Sequence, residues 1–176
     1  PIIYKQERVY TSRGTDILFV LDISPSMAAQ DMNGSNRLES AKNAINYIVE
    51  NNTGASFGVV AMAAESAVVV PPTMDHTLFL QRMNDIPIGN LGDGTAIGVG
   101  LSTAIYHLAA SSAPKKCIVL ITDGENNDGS LSLPQAINLA KNENIKIYTI
   151  GVGGGANLIQ SILSYKIALP SGLDEK

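Results

Sequence analysis

A chain of 176 residues with 45% hydrophobic side chains is long enough for one domain with a sizeable core. Twelve Lys and Arg against sixteen Asp and Glu leave a net charge of -4 with no basic cluster, which excludes nucleic acid as a partner. No apolar run approaches the roughly 18 residues that cross a bilayer, so this stretch is expected to be soluble and not to insert into a membrane itself.

Aromatic residues are scarce, with three Phe, six Tyr and no Trp, whereas Ala, Ile, Leu, Val and 16 Gly are abundant. That mixture suits parallel strands covered by helices. The single cysteine, Cys117, opens an apolar run; it has no partner for an internal disulfide and reads as a buried, inert thiol. The start at Pro1 and the end at Lys176 read as the bounds of a domain excised from a longer protein.

The segment 1–15 reads as a polar lead-in to a single domain over 16–176. A first strand is predicted over Asp16–Leu21, followed at once by Asp22-Ile23-Ser24-Pro25-Ser26. Turn residues from Asn33 lead into a helix. Asn36 and Glu39 form its capping-box pattern, and Leu38, Ala41, Ala44, Ile45, Ile48 and Val49 recur at helical spacing towards Asn51–Gly54. Phe57–Ala63 and Ala67–Val70 are β-prone runs too close together for a parallel crossover, so they are expected to pair as a hairpin that Pro71-Pro72 ends. Its second strand belongs at a sheet edge.

Asp75 caps a short predicted helix carrying Leu78, Phe79, Met83 and Ile86, and a loop runs on to Asp93. Ile97, Leu101, Ala104, Ile105 and Leu108 form the stripe of the next helix, which starts beside Thr95. Cys117–Ile121 is a continuous apolar strand. Ser132, Pro134 and Gln135 open a further helix with Ile137 and Ala140 inward, and Ile145–Val152 is the last strand before a glycine loop. The order strand, helix, hairpin, helix, helix, strand, helix, strand calls for an α/β fold: a doubly wound, mostly parallel sheet with one antiparallel edge strand and helices on both faces.

In such sheets ligands bind beyond the carboxyl ends of the strands, and Asp22 and Asp123 are each expected one residue past a strand end. Alternate positions of an extended segment face one side, so Asp22, Ser24 and Ser26 converge as half an oxygen cage for a hard divalent cation. Asp93-Gly94-Thr95 and Thr122-Asp123-Gly124 supply the other half through Thr95 and Asp123. Two carboxylates largely balance a divalent charge, and neutral hydroxyls suit Mg²⁺ or Mn²⁺. Each residue singly is as well explained by local structure: Thr95 as a helix cap, Asp123-Gly124 as a turn. The argument for a site is that all three loops fall at the same sheet edge.

With these motifs in this order the chain resembles a von Willebrand factor A domain. That family's metal-ion-dependent adhesion site consists of Asp-x-Ser-x-Ser, here Asp22, Ser24 and Ser26, a Thr on a second loop, here Thr95, and an Asp on a third, here Asp123. The likeness spans Asp16 to about Val152. It implies that the serines and the threonine coordinate Mg²⁺ directly, with Mn²⁺ or Ca²⁺ as alternatives, and that one or both aspartates act through water. An Asp or Glu side chain from a protein partner completes the coordination. It implies binding rather than catalysis.

Within the family, the Asp22–Met27 segment, Asn36-Arg37-Leu38-Glu39, Gly92–Gly98 and Tyr148–Gly153 are most similar to bacterial Bat-type aerotolerance proteins. This implies a parent anchored in the bacterial inner membrane with the domain in the periplasm, and other Bat-type membrane proteins as partners. Pro25 stands where glycine is more usual, which stiffens the loop. The family's customary last strand and helix are not recognisable, so the domain is expected to stop short of them.

The chief rival is a Mg²⁺-dependent phosphatase of the haloacid-dehalogenase type with Asp22 as nucleophile. It needs an acid/base carboxylate two residues on, where this chain has Ser24. Gly151-x-Gly153-x-x-Ala156 matches a dinucleotide fingerprint only formally, because it follows the last strand. No Gly-x-Ser-x-Gly elbow exists for serine hydrolysis, and the acidic loop Asp123–Gly129 fits no EF-hand spacing. That loop reads as a solvated rim where Glu125 or Asp128 tunes partner choice.

Overall fold

The computed structural model describes residues 14–124 and 131–153. In chain order the elements are β1 (Thr15–Asp22), α1 (Arg37–Glu50), β2 (Ser56–Met62), β3 (Ser66–Thr73), α2 (His76–Asn84), α3 (Ile97–Ala109), β4 (Lys115–Thr122), α4 (Leu133–Asn142) and β5 (Lys146–Gly151). The strands form one sheet in the order β3-β2-β1-β4-β5. The pairs β1–β2, β1–β4 and β4–β5 are parallel, and β2–β3 is antiparallel at one edge. This is the architecture the sequence pattern calls for.

The central strands read as unbroken apolar runs because both of their faces are covered. Along β1, Ile17, Phe19 and Leu21 point to the side of α1 and α2, whereas Leu18 and Val20 point to the side of α3 and α4. All three phenylalanines of the chain meet on the first side: Phe19, Phe57 and Phe79 have ring centroids 5.8–6.0 Å apart. Each is fully buried, a contribution of roughly 1.5–3 kcal/mol. On the other side α3 lies close against the sheet. A Cβ added at Gly100 would fall 2.6 Å from Met62 Sδ, so a glycine sets that approach.

Four local expectations need correction. The hairpin's second strand does not stop at the prolines: β3 continues through Pro71 and Pro72 to Thr73, with a register irregularity opposite Gly58. The prolines are tolerated because β3 is an edge strand. On α4 the buried face is Ala136 and Ala140, while Ile137 is 38% exposed. At α1, Asn36 accepts the Glu39 amide hydrogen at 2.8 Å, one half of the capping box, and the Glu39 carboxylate leans instead towards Lys42 at 3.7 Å. The segment after Ser24 is not extended: Pro25–Ala28 forms a 3₁₀ turn, favoured by proline at its first position.

The Ser132–Gln135 capping box is present in both halves, and Asp75 caps α2 through the Leu78 amide. The expected early stop before a last strand and helix, the fingerprint's end at Ala156, and Glu125 and Asp128 lie outside the described residues.

Candidate metal centre at the carboxyl end of the sheet

β1 and β4 are neighbours, and their carboxyl ends bring two of the predicted segments together. Asp22 is the last residue of β1 rather than the first beyond it, and its side chain is fully buried. Both of its oxygens are engaged: Oδ1 accepts the Ser24 amide at 2.9 Å, and Oδ2 accepts the Thr122 hydroxyl at 2.6 Å. The first bond curls the chain into the 3₁₀ turn. That turn keeps the two serine hydroxyls on one side although the backbone is not extended, with Ser24 Oγ and Ser26 Oγ 3.0 Å apart.

Ser26 then reaches across the sheet edge and donates to Asp123 Oδ1 at 3.1 Å. Asp123 follows β4 directly, and its side chain is only 3% exposed. Its second oxygen, Oδ2, accepts Arg37 Nη1 at 2.7 Å. Arg37, at the start of α1, also forks onto Asp31, with Nε 3.0 Å from Oδ1 and Nη2 2.6 Å from Oδ2. The carboxylates hold the guanidinium pKa above its ordinary value, the hydrogen bond from Asp31 contributing most and that from Asp123 next.

Thr95 enters from the loop before α3 and is buried. Gly94 precedes it at φ 140°, a backbone that side chains rarely adopt. Backbone bonds lash this loop to the segment after β1 and to the turn between β2 and β3. The Gly89 amide donates to Ile23 O at 2.9 Å, Glu65 N to Leu91 O at 3.0 Å, and Ala96 N to Ala63 O at 2.8 Å. Thr95 is not the cap of α3, a position held by Ala96.

Ser24, Ser26 and Asp123 therefore form a run of side-chain oxygens, joined to Asp22 through the Ser24 backbone amide, and the loop that carries Thr95 is tied to Ile23 just after β1. An octahedral ion with oxygens at about 2.0–2.1 Å spaces neighbouring ligands about 2.9 Å apart. The Ser24–Ser26 and Ser26–Asp123 separations of 3.0 and 3.1 Å fit that spacing. Asp31 neutralises Arg37, so Asp22 and Asp123 are left to balance a divalent charge. Among the described residues no group of three or more His, Cys, Asp and Glu could hold a metal, so hydroxyl donors must complete any cation site there.

Sequence reasoning missed Arg37, Asp31 and the bond from Thr122. Arg37 carried a signal: a cation in the first turn of a helix opposes the helix dipole, which points to a use elsewhere. Asp31 and Thr122 carried none, because Asp31 matters only through Arg37 and Thr122 only through its bond to Asp22 on the neighbouring strand.

A parallel sheet of this order with these three loops at its carboxyl edge defines a class, and comparison agrees with it. The model of the von Willebrand factor type A domain matches residues 16–166, and the chain belongs to that family. An uncharacterized protein of Borreliella burgdorferi is 42% identical over 153 residues, covering 87% of this chain and 45% of its own length. The chain thus spans about half the length of the curated relatives it matches.

Among solved structures, an aerotolerance-related membrane protein from Bacteroides fragilis is 30% identical with a TM-score of 0.69, covering 82% of this chain and 75% of that one. The protein BatB from Bacteroides thetaiotaomicron is 30% identical with a TM-score of 0.66, covering 78% and 66%. No helix of the described residues is long and apolar enough to cross a membrane.

Proposed function

We propose that this domain is a divalent-metal-dependent protein-binding module. Asp22, Ser24, Ser26, Thr95 and Asp123 would hold Mg²⁺, with Mn²⁺ or Ca²⁺ as alternatives, and an Asp or Glu side chain of a protein partner completes the coordination. The observation that carries this reading is the run of oxygens at 3.0–3.1 Å from Ser24 through Ser26 to Asp123, beside the fully buried Asp22. When bound, the ion supplies a Lewis-acidic position for an acidic ligand. The chain's own part is to hold the oxygens in place before a partner arrives.

Likeness to an aerotolerance-related membrane protein and to BatB supports a parent anchored in the bacterial inner membrane. The domain then faces the periplasm, and other Bat-type membrane proteins are its candidate partners. The module is not an enzyme on this reading, since Ser24 stands where a phosphatase of the haloacid-dehalogenase type needs its proton donor.

Calorimetric titration with Mg²⁺ and Mn²⁺ tests the metal, and saturable binding is expected. It should be lost in Asp22→Ala and weakened in Ser26→Ala, whose exposed side chain leaves folding intact. Binding indifferent to both substitutions would sink the reading. Capture from a membrane fraction with and without chelator tests the partner, which should be released by chelator. A panel of phosphate esters should show no metal-dependent turnover; turnover lost in Asp22→Asn would favour the phosphatase.

A further inference from the structure

Resting on that metal-binding reading, we propose that Arg37 sets which ion the site accepts, by confining Asp123 to a single oxygen and so favouring small six-coordinate cations over Ca²⁺. Each site carboxylate has one oxygen held by a group other than the two serines. For Asp22 the partner is the Thr122 hydroxyl, and for Asp123 it is Arg37 Nη1 at 2.7 Å. The remaining oxygen of Asp123 is the one that meets Ser26.

The two grips differ in strength. A bond from a guanidinium to a carboxylate is about twice as strong as one between neutral groups. This one also lies where little water competes, with the Asp123 side chain 3% and the Arg37 side chain 22% exposed. Arg37 is itself unable to swing away. Its Nε and Nη2 are held by Asp31, and its guanidinium lies against Gly153, where an added Cβ would come 3.0 Å from Nε and 3.1 Å from Cζ.

Mg²⁺ and Mn²⁺ are served by single oxygens and retained waters, whereas Ca²⁺ takes six to eight oxygens and often draws both oxygens of a carboxylate. For Asp123 to ligate with both, the part-buried Arg37 bond must break. The small ions need no such break. Arg37 acts on the proposed ion through Asp123, so it is a positioning residue.

The test is titration of the 176-residue chain with MgCl₂, MnCl₂ and CaCl₂ in wild type, Arg37→Met, Arg37→Lys and Asp31→Asn, each checked for folding by circular dichroism. Wild type should prefer Mg²⁺ and Mn²⁺ over Ca²⁺, and Arg37→Met should narrow that preference by about tenfold, since Asp123 regains its second oxygen. Arg37→Lys retains the charge but not the fork and should narrow it by less. Asp31→Asn weakens the hold on Arg37 but leaves its bond to Asp123, so it should narrow the preference by less than Arg37→Met. A wild type that prefers Ca²⁺, or an unchanged ratio in whichever Arg37 variant folds, would overturn the proposal while leaving metal binding intact. Failure of wild type to bind any of the three ions overturns the metal-binding reading itself.

Discussion

Two aspartates end β1, and the structure separates them. Asp16, at the amino end, is buried and accepts hydroxyl bonds from Ser56 and Ser111 on its two oxygens. It ties β1 to β2 and to the segment after α3, at the opposite end of β1 from the proposed metal centre. Asp16→Ala should cost about 1–3 kcal/mol, because two buried hydroxyls lose their acceptor. Urea unfolding would show this, and Mg²⁺ affinity should not change. Nothing in the sequence separates Asp16 from an ordinary strand start, since Ser111 is remote along the chain. Asp22 was legible because Ser24 and Ser26 travel with it.

Cys117 is the other residue whose setting is measurable. Burial raises its thiol from an ordinary 9.0 to about 12, with Lys146 opposing and Asp16 adding slightly. The folded state therefore keeps a proton that the unfolded state releases above pH 9. This contribution to stability is complete below 9 and is lost as pH rises towards 12, at about 1.4 kcal/mol per pH unit within that window. Native protein should resist a thiol reagent at pH 8 and react only on unfolding; rapid labelling of folded protein would contradict the burial argument.

Among elements, the strands and helices were legible because their periods are strong: unbroken apolar runs in β1, β2 and β4, and spaced stripes in α1 and α3. What escaped was set by contact rather than period. The 3₁₀ turn at Pro25–Ala28 follows from the bond that Asp22 makes to the Ser24 amide, and the inward face of α4 is small because α3 leaves it little room. A Cβ at Gly98 of α3 would fall 2.0 Å from Leu131 O, just ahead of α4. Gly98→Ala should thus displace that segment and cost about 1–3 kcal/mol as overpacking. Thermal unfolding measures it, and an unshifted midpoint would mean that the segment moves freely.

For the molecule as a whole, the sheet gathers the ends of β1 and β4 and the loop before α3, so ligand and fold are linked. Mg²⁺ at about a hundred times its dissociation constant should add about 2.7 kcal/mol of stability by mass action. The unfolding midpoint should rise accordingly in wild type and rise less in Ser26→Ala at the same Mg²⁺ concentration. The doubly wound class and the edge strand were legible from element order alone, whereas the charge arrangement was not, since Arg37, Asp31 and Asp123 come together only when α1 and β4 are in place.

The closeness of Arg37 to Gly153 extends this to heredity. None of the five proposed ligands lies beyond Asp123, yet any side chain at 153 would press on the guanidinium that holds Asp123. The region of the gene that bears on ion choice at the proposed centre therefore runs on to the codon for a residue after β5. A missense change there would loosen the hold on Asp123 and narrow the preference between ions while every oxygen of the motif remained encoded.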